Sequence, residues 1–216
     1  MESIRLGVTT IFDHHASPDH TKDSLSTIAN VFRHYGLRGV FCFETSDRNG
    51  IPLALEGLEE NRRFFNEHTG KDFKSMLGLH ASFTLSDETL KKAADILQTS
   101  GLGIHIHLCE DKSDAEKSRE LFRHNPVERL ANFKLLNPKS ILSHGIHLTG
   151  TDYSVISQSG SAIVYNPDSN LNNSVGIPEY RRVPASIPVL IGTDGMHAGG
   201  EVAGVAHRAA LSFRHG

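Results

Sequence analysis

Gly103-Ile-His-Ile-His-Leu-Cys-Glu110 alternates aliphatic and imidazole side chains and then ends on a carboxylate. On a β-strand, side chains two positions apart share a face. His105 and His107 therefore project to one side, and Ile104, Ile106 and Leu108 project to the other, toward covering helices. His107 lies nearer the end of the strand and His105 one layer deeper. Glu110 follows where strand gives way to loop. Two further runs have the same form. Ile141-Leu142-Ser143 leads into His144-Gly145, and Pro188-Val-Leu-Ile-Gly-Thr leads into Asp194-Gly195.

Working outward, short apolar runs bounded by Gly, Pro, Asn, Asp or Ser read as buried parallel strands over 8–12, 38–43, 75–79, 103–108, 140–143, 161–165 and 189–192. Segments of helical period lie between them. These are 24–35, 56–69, 86–99, two helices within 113–136 broken near Asn125-Pro126, 153–159 and 202–213. Ser86 reads as an N-cap. The strand-to-strand spacing of roughly 20 to 40 residues suits βα units. An unbroken series of them favours an α/β fold of the TIM (β/α)8 type, here incomplete at about seven β/α units. A doubly wound sheet is the alternative, but its phosphate-binding glycines are missing from Asp13-His-His-Ala-Ser-Pro18. The whole of 1–216 reads as one domain.

Composition narrows the class. The chain has 216 residues, is 38% hydrophobic and carries a net charge of −3, so it shows no basic nucleic-acid footprint. No apolar run reaches the roughly 18–20 residues that span a bilayer, and the first residues lack a signal peptide's apolar stretch. Cys42 and Cys109 lie inside apolar runs and read as reduced core thiols, which suits a cytoplasmic protein. Of 14 histidines, those that matter are the ones gathered at strand ends.

In a parallel barrel the active site lies at the C-terminal ends of the strands. Those ends here carry Asp13-His14-His15, Glu44, His80, His107 with Glu110, His144, Asn166 and Asp194. A metal-bound imidazole with a carboxylate just beyond it suits metal-assisted hydrolysis, the ion activating a water and the carboxylate moving its proton. Plainer readings stay open for each residue alone. The histidine pair could be hydrogen-bonded core residues, His144 a rim residue and Asp194 the N-cap of a turn.

The order His-x-His-Leu-x-Glu, Ser-His-Gly-x-His-Leu, Asn-Pro-x-Ser-Asn and Gly-Thr-Asp-Gly resembles the amidohydrolase superfamily. It is most similar to the cytosine-deaminase-like, chlorohydrolase and aminohydrolase branch that includes the SsnA group. The resemblance covers almost the whole chain. It implies a barrel hydrolase holding one divalent metal, zinc or alternatively iron. His107 and Asp194 would be metal ligands. Glu110 would be the proton shuttle, His144 would polarise the reacting group, and Asp194 would also receive the water's proton. His80, Asn166 and Asn170 would contact substrate. The implied substrate is a small molecule, an amino-substituted heterocycle losing ammonia, with no nucleic-acid or membrane partner and a possible homodimer.

The chain departs from the family pattern in one respect. The family draws two more metal ligands from a His-x-His on its first strand, and no such motif precedes Gly7. His14-His15 is no substitute, because adjacent strand residues face opposite ways. The expectation is therefore a fragment covering the family's second to eighth strands, active or not on its own. A barrel that has lost its chemistry and serves as a binding or oligomerisation module is the alternative.

Overall fold

A computed structural model describes residues 2–195 apart from Thr69 and Lys71. The helix expected over 202–213 lies outside the described residues. A short helix α1 (Glu2–Arg5) leads into alternating strands and helices: β1 (Thr10–His15), α2 (Ser24–His34), β2 (Arg38–Phe43), α3 (Ile51–His68), β3 (Phe73–Ser75), β4 (Leu77–Ala81), α4 (Asp87–Ser100) and β5 (Ile104–Leu108). Then follow α5 (Lys112–Phe122), α6 (Pro126–Asn132), β6 (Ile141–His144), α7 (Gly150–Ser159), β7 (Ala162–Tyr165), α8 (Pro167–Asn172) and β8 (Val189–Ile191). Every strand pairing is parallel.

The strands run in sequence order, β1-β2-β3 and β4-β5-β6-β7-β8. β3 and β4 are two halves of the single strand expected over 75–79, interrupted at Met76. The first half pairs with β2 and the second with β5. One bridge, Thr45 to Leu79, carries the sheet across the break. Asn61 of α3 fills the rest. Its Oδ1 accepts the N–H groups of Phe43 (2.8 Å) and Gly78 (3.2 Å), and its Nδ2 donates to the Phe43 carbonyl (2.9 Å). Position 78 must be glycine for this approach, since a Cβ there would overlap the Phe43 carbonyl. The described residues form a partial barrel of six β/α units followed by the strand β8. Among the described residues β1 and β8 each pair on one side only, and Phe12, Leu190 and Ile191 are exposed there.

The core lies between the sheet and its helices. Leu77, Leu79, Ile104, Ile106, Leu108 and Leu142 pack against Leu90, Ala93 and Leu97 of α4, Val127 and Leu130 of α6, and Ile156 of α7. Strand β5 shows the expected alternation, its Ile and Leu side chains buried and its histidines half-buried toward the inside of the sheet. Ser86 caps α4 as expected, accepting the N–H of Thr89 at 3.2 Å. α2 is capped from afar. Its N-cap residue Asp23 gives no side-chain bond, and the buried Glu60 carboxylate of α3 accepts the N–H groups of Asp23 and Leu25 instead. Both cysteines are buried free thiols.

Two expectations need correcting. The first strand does not occupy 8–12. It starts at Thr10 and runs to His15, because its register with β2 continues to the pair His15–Phe43 and draws Asp13-His14-His15 into the ladder. The helix expected from 56 begins at Ile51, with Pro52 in its first turn, where a missing N–H costs nothing.

Candidate active site

The C-terminal ends of the strands bring one group of side chains together. His144 ends β6 with its backbone in the left-handed region, at φ 72°, and is 1% exposed. Its Nδ1 lies 2.8 Å from Asn170 Oδ1 on α8. An amide oxygen only accepts, so the proton sits on Nδ1 and Nε2 presents its lone pair inward. That Nε2 faces three groups: His107 Nδ1 at 3.0 Å, Glu110 Oε2 at 3.5 Å and Asp194 Oδ2 at 3.9 Å. Burial pulls the His144 pKa down, against the opposing charge of Glu110.

His107 projects inward from β5, and its other nitrogen, Nε2, lies 3.6 Å from Glu44 Oε2 just past β2. Burial lowers its pKa, but the Glu44 carboxylate outweighs burial and the net shift is upward. Glu44 moves the opposite way. Burial alone would raise it, while His107, His80 and Arg48 hold it low, and its Oε1 accepts from Arg48 at 2.9 Å. Asp194 likewise stays below the usual carboxylate range. Burial is overcome by a 2.5 Å hydrogen bond from Ser169 and by His144 and the Gly195 N–H. Asp194 also has positive φ, 58°. Glu110 is held from both sides. Its N–H donates to Asp114, and its Oε1 accepts from Asn173 at 3.3 Å.

The structure thus brings His107, Glu110, His144, Asn170 and Asp194 into one linked cluster. His80 adjoins it through ring packing on His107, centroids 5.6 Å apart, with its own Nδ1 bonded to Thr84. Burial lowers its pKa to about 4, so it is neutral. Asn166 is buried beneath Gly192 rather than joined to the cluster. His105 lies deeper, bonded to Ser143 at 3.1 Å, with a pKa pushed down by burial to about 4. His147 is held away by the Val175 carbonyl.

Three contributors carry no role from the sequence motifs: Ser169, Asn173 and His14. Ser169 and Asn173 sit one helical turn apart on and after α8, within the Asn-rich stretch that had marked this loop. His14 faces inward from β1 while His15 turns away to Ser17 and Phe43, as alternation requires. The His14 ring lies 4.4 Å from that of His105 and 5.1 Å from that of His107. Both its nitrogens are buried without a hydrogen-bond partner among the described residues. Leaving a buried polar group unpaired costs about 1–3 kcal/mol.

The donor chemistry fits a divalent cation. One ligand atom each from His107, Glu110 and His144 lie within 4.8 Å of one another. Ion pairs bound directly by a proton sit at about 2.7–2.9 Å, whereas a tetrahedral ion with ligands at about 2.1 Å has edges of about 3.4 Å. The 3.5, 3.6 and 3.9 Å imidazole–carboxylate separations leave these carboxylates short of direct, proton-bound contact with the rings. Among the described residues no helix is long and apolar enough to cross a membrane.

The chain matches the model of the family described as "Amidohydrolase family" over residues 1–215. It is 31% identical over 175 residues to a 5-methylthioadenosine/S-adenosylhomocysteine deaminase of Caldanaerobacter subterraneus subsp. tengcongensis, covering 79% of this chain and 40% of that protein. It spans less than half the length of the curated relatives it matches, 40% and 44% in two of them. Its fold is similar to that of an adenosine deaminase from Xanthomonas campestris with bound zinc, at TM-score 0.83 and 19% identity over 98% of this chain and 48% of that one. A guanine deaminase from C. acetobutylicum with bound guanine gives TM-score 0.79 at 18% identity, over 90% of this chain and 48% of that one.

Proposed function

The chain belongs to the amidohydrolase family, and from that premise we propose that it carries the proton-transfer half of a metal-dependent deaminase site. The substrate would be a small amino-substituted heterocycle, and the adenine ring of an adenosine-like nucleoside is the form that the names of its relatives favour. The carrying observation is the convergence of two carboxylates, Glu110 Oε2 and Asp194 Oδ2, on the inward lone pair of His144.

His107 and Asp194 would hold one divalent metal, zinc as in the adenosine deaminase of similar fold, with iron as the alternative for a nitrogen and carboxylate donor set. When bound, the ion supplies Lewis acidity that makes water a nucleophile near neutral pH. Asp194, kept ionised by Ser169 and Gly195, accepts the proton the attacking water loses. Glu110, aimed by Asn173, delivers a proton to the heterocycle's nitrogen. His144, its tautomer fixed by Asn170, orients the reacting oxygen. His80, neutral at the pocket side of His107, and Asn166 and Asn170 would contact the substrate. Water enters, ammonia leaves and the ring carbon gains oxygen.

The test uses the 216-residue chain stripped of metal, reloaded with zinc and incubated with adenosine, 5′-methylthioadenosine, S-adenosylhomocysteine, guanine and an aminotriazine. Ammonia release from at least one is expected. Glu110→Gln should lower it by about 10²–10⁴-fold with zinc content unchanged. Stoichiometric zinc with no ammonia from any compound would instead support a barrel that has lost its chemistry. Light scattering on the same sample tests the homodimer.

A further inference from the structure

We propose that His14, Glu44 and His107 form a second divalent-cation position beside the one implied by His107 and Asp194. One ligand atom from each of the three lie within 4.8 Å of one another. His107 faces different partners through its two nitrogens, Nδ1 to His144 at 3.0 Å and Nε2 to Glu44 at 3.6 Å; with both ions bound it would bridge them as an imidazolate, releasing its Nδ1 proton to solvent. Glu44 is arranged for this use. Arg48 occupies Oε1, which leaves Oε2 turned toward His107.

His14 is the observation that asks for a ligand. His80, His105, His107 and His144 each have a hydrogen-bond partner, Thr84, Ser143, His144 and Asn170 respectively. His14, enclosed by the same rings, has none at either nitrogen among the described residues. A neutral imidazole is a strong borderline ligand and a carboxylate a hard one, so the set suits zinc, cobalt or manganese. A softer alternative, His14 with Cys42 and His105, is disfavoured because its members already have partners: the Cys42 thiol lies 3.6 Å from the Asp13 carbonyl and 3.8 Å from His105 Nδ1, and His105 Nε2 is bonded to Ser143.

The test is cobalt binding to the chelator-stripped 216-residue chain, read by visible absorption and by equilibrium dialysis. A cobalt equivalent is expected that Asp194→Asn retains. His14→Ala and Glu44→Gln should each weaken it at least about tenfold, since even groups that only hydrogen-bond a ligand cost 10–100-fold. Glu44 lies at the rim, so Glu44→Gln decides the matter if His14→Ala fails to fold. Cobalt binding unchanged in both variants overturns the proposal. So does a single equivalent lost alike from Asp194→Asn and His14→Ala, which would place His14 in the one centre. So does a thiolate-to-cobalt charge-transfer band abolished by Cys42→Ser. Ammonia release reports on the deaminase site and leaves these outcomes unaffected.

Discussion

Asn61→Leu removes a side chain that replaces a missing stretch of sheet. The substitution nearly preserves volume at a position 1% exposed. It deletes the acceptor for Phe43 N–H and Gly78 N–H and the donor to the Phe43 carbonyl. The Gly57 carbonyl, which Asn61 also engages, keeps its helical bond and is not orphaned. Three buried backbone groups lose their partners at about 1–3 kcal/mol each, and the added methyl groups return about 1 kcal/mol. The net expectation is a loss of about 2–8 kcal/mol, a large fraction of the 5–15 kcal/mol typical of a domain. Urea unfolding should show it, followed by far-ultraviolet circular dichroism and by tyrosine fluorescence, since the chain has no tryptophan. With a slope of about 2–3 kcal/mol/M, the midpoint should fall by about 0.7–4 M at unchanged slope. A fall below about 0.3 M, with both probes coincident and the slope unchanged, would falsify the assignment of Asn61 as the bridge across the break.

Three further outcomes are expected. Burial raises the Asp114 carboxyl to about 6, so its protonation stabilises the fold below about pH 4 and that stability is lost as pH rises through about 6. The stability difference between wild type and Asp114→Asn should therefore shift by about 2–3 kcal/mol between pH 4 and 7, and parallel urea-midpoint profiles of the two proteins would rule it out. Glu60→Gln weakens the remote cap of α2 and its ion pair with Arg63. It should cost about 1–3 kcal/mol, or a fall of about 2–12 °C in thermal midpoint for a chain of this size, and an unchanged midpoint counts against the cap. Asn170→Ala frees the proton on His144 Nδ1 to move, and ammonia release by the zinc-loaded chain should fall about 10²–10⁴-fold with zinc content unchanged; an unchanged rate would remove Asn170 from the site.

Much of the architecture was legible because it is written locally. Strand β5 announced itself by alternation, and α4 by Ser86 ahead of an apolar stripe. The break at Met76 was not legible. Ser75-Met-Leu-Gly-Leu79 reads as one short strand in which Gly78 gives no sign of a break at Met76, and what splits the strand is a change of partner from β2 to β5. The trace in sequence is Asn61, a polar residue on the buried side of α3, which only makes sense once Phe43 and Gly78 are placed beside it. β1 was misjudged for the same reason. Asp13-His14-His15 has loop composition, and only its register with Cys42 and Phe43 holds it in the ladder.

The site residues were legible as strand ends, while their backbone conformation was not. The sequence points to Gly195 as the residue that frees the chain after β8, yet among the described residues the positive φ falls on Asp194 itself, as it does on His144. Asp194 eases that conformation by accepting the Gly195 N–H at 2.8 Å on its own carboxylate, while a non-glycine residue in this region costs about 1–3 kcal/mol. Glycine at either would fold more easily, and each is already followed by one. What His144 and Asp194 gain is aim: the left-handed turn swings His144 Nε2 toward Glu110 and Asp194 Oδ2 toward the same nitrogen. Asp23, Cys109, Arg123, Lys134 and Ser174 share the left-handed region, so what sets His144 and Asp194 apart is that their side chains meet at one nitrogen, 3.9 Å apart.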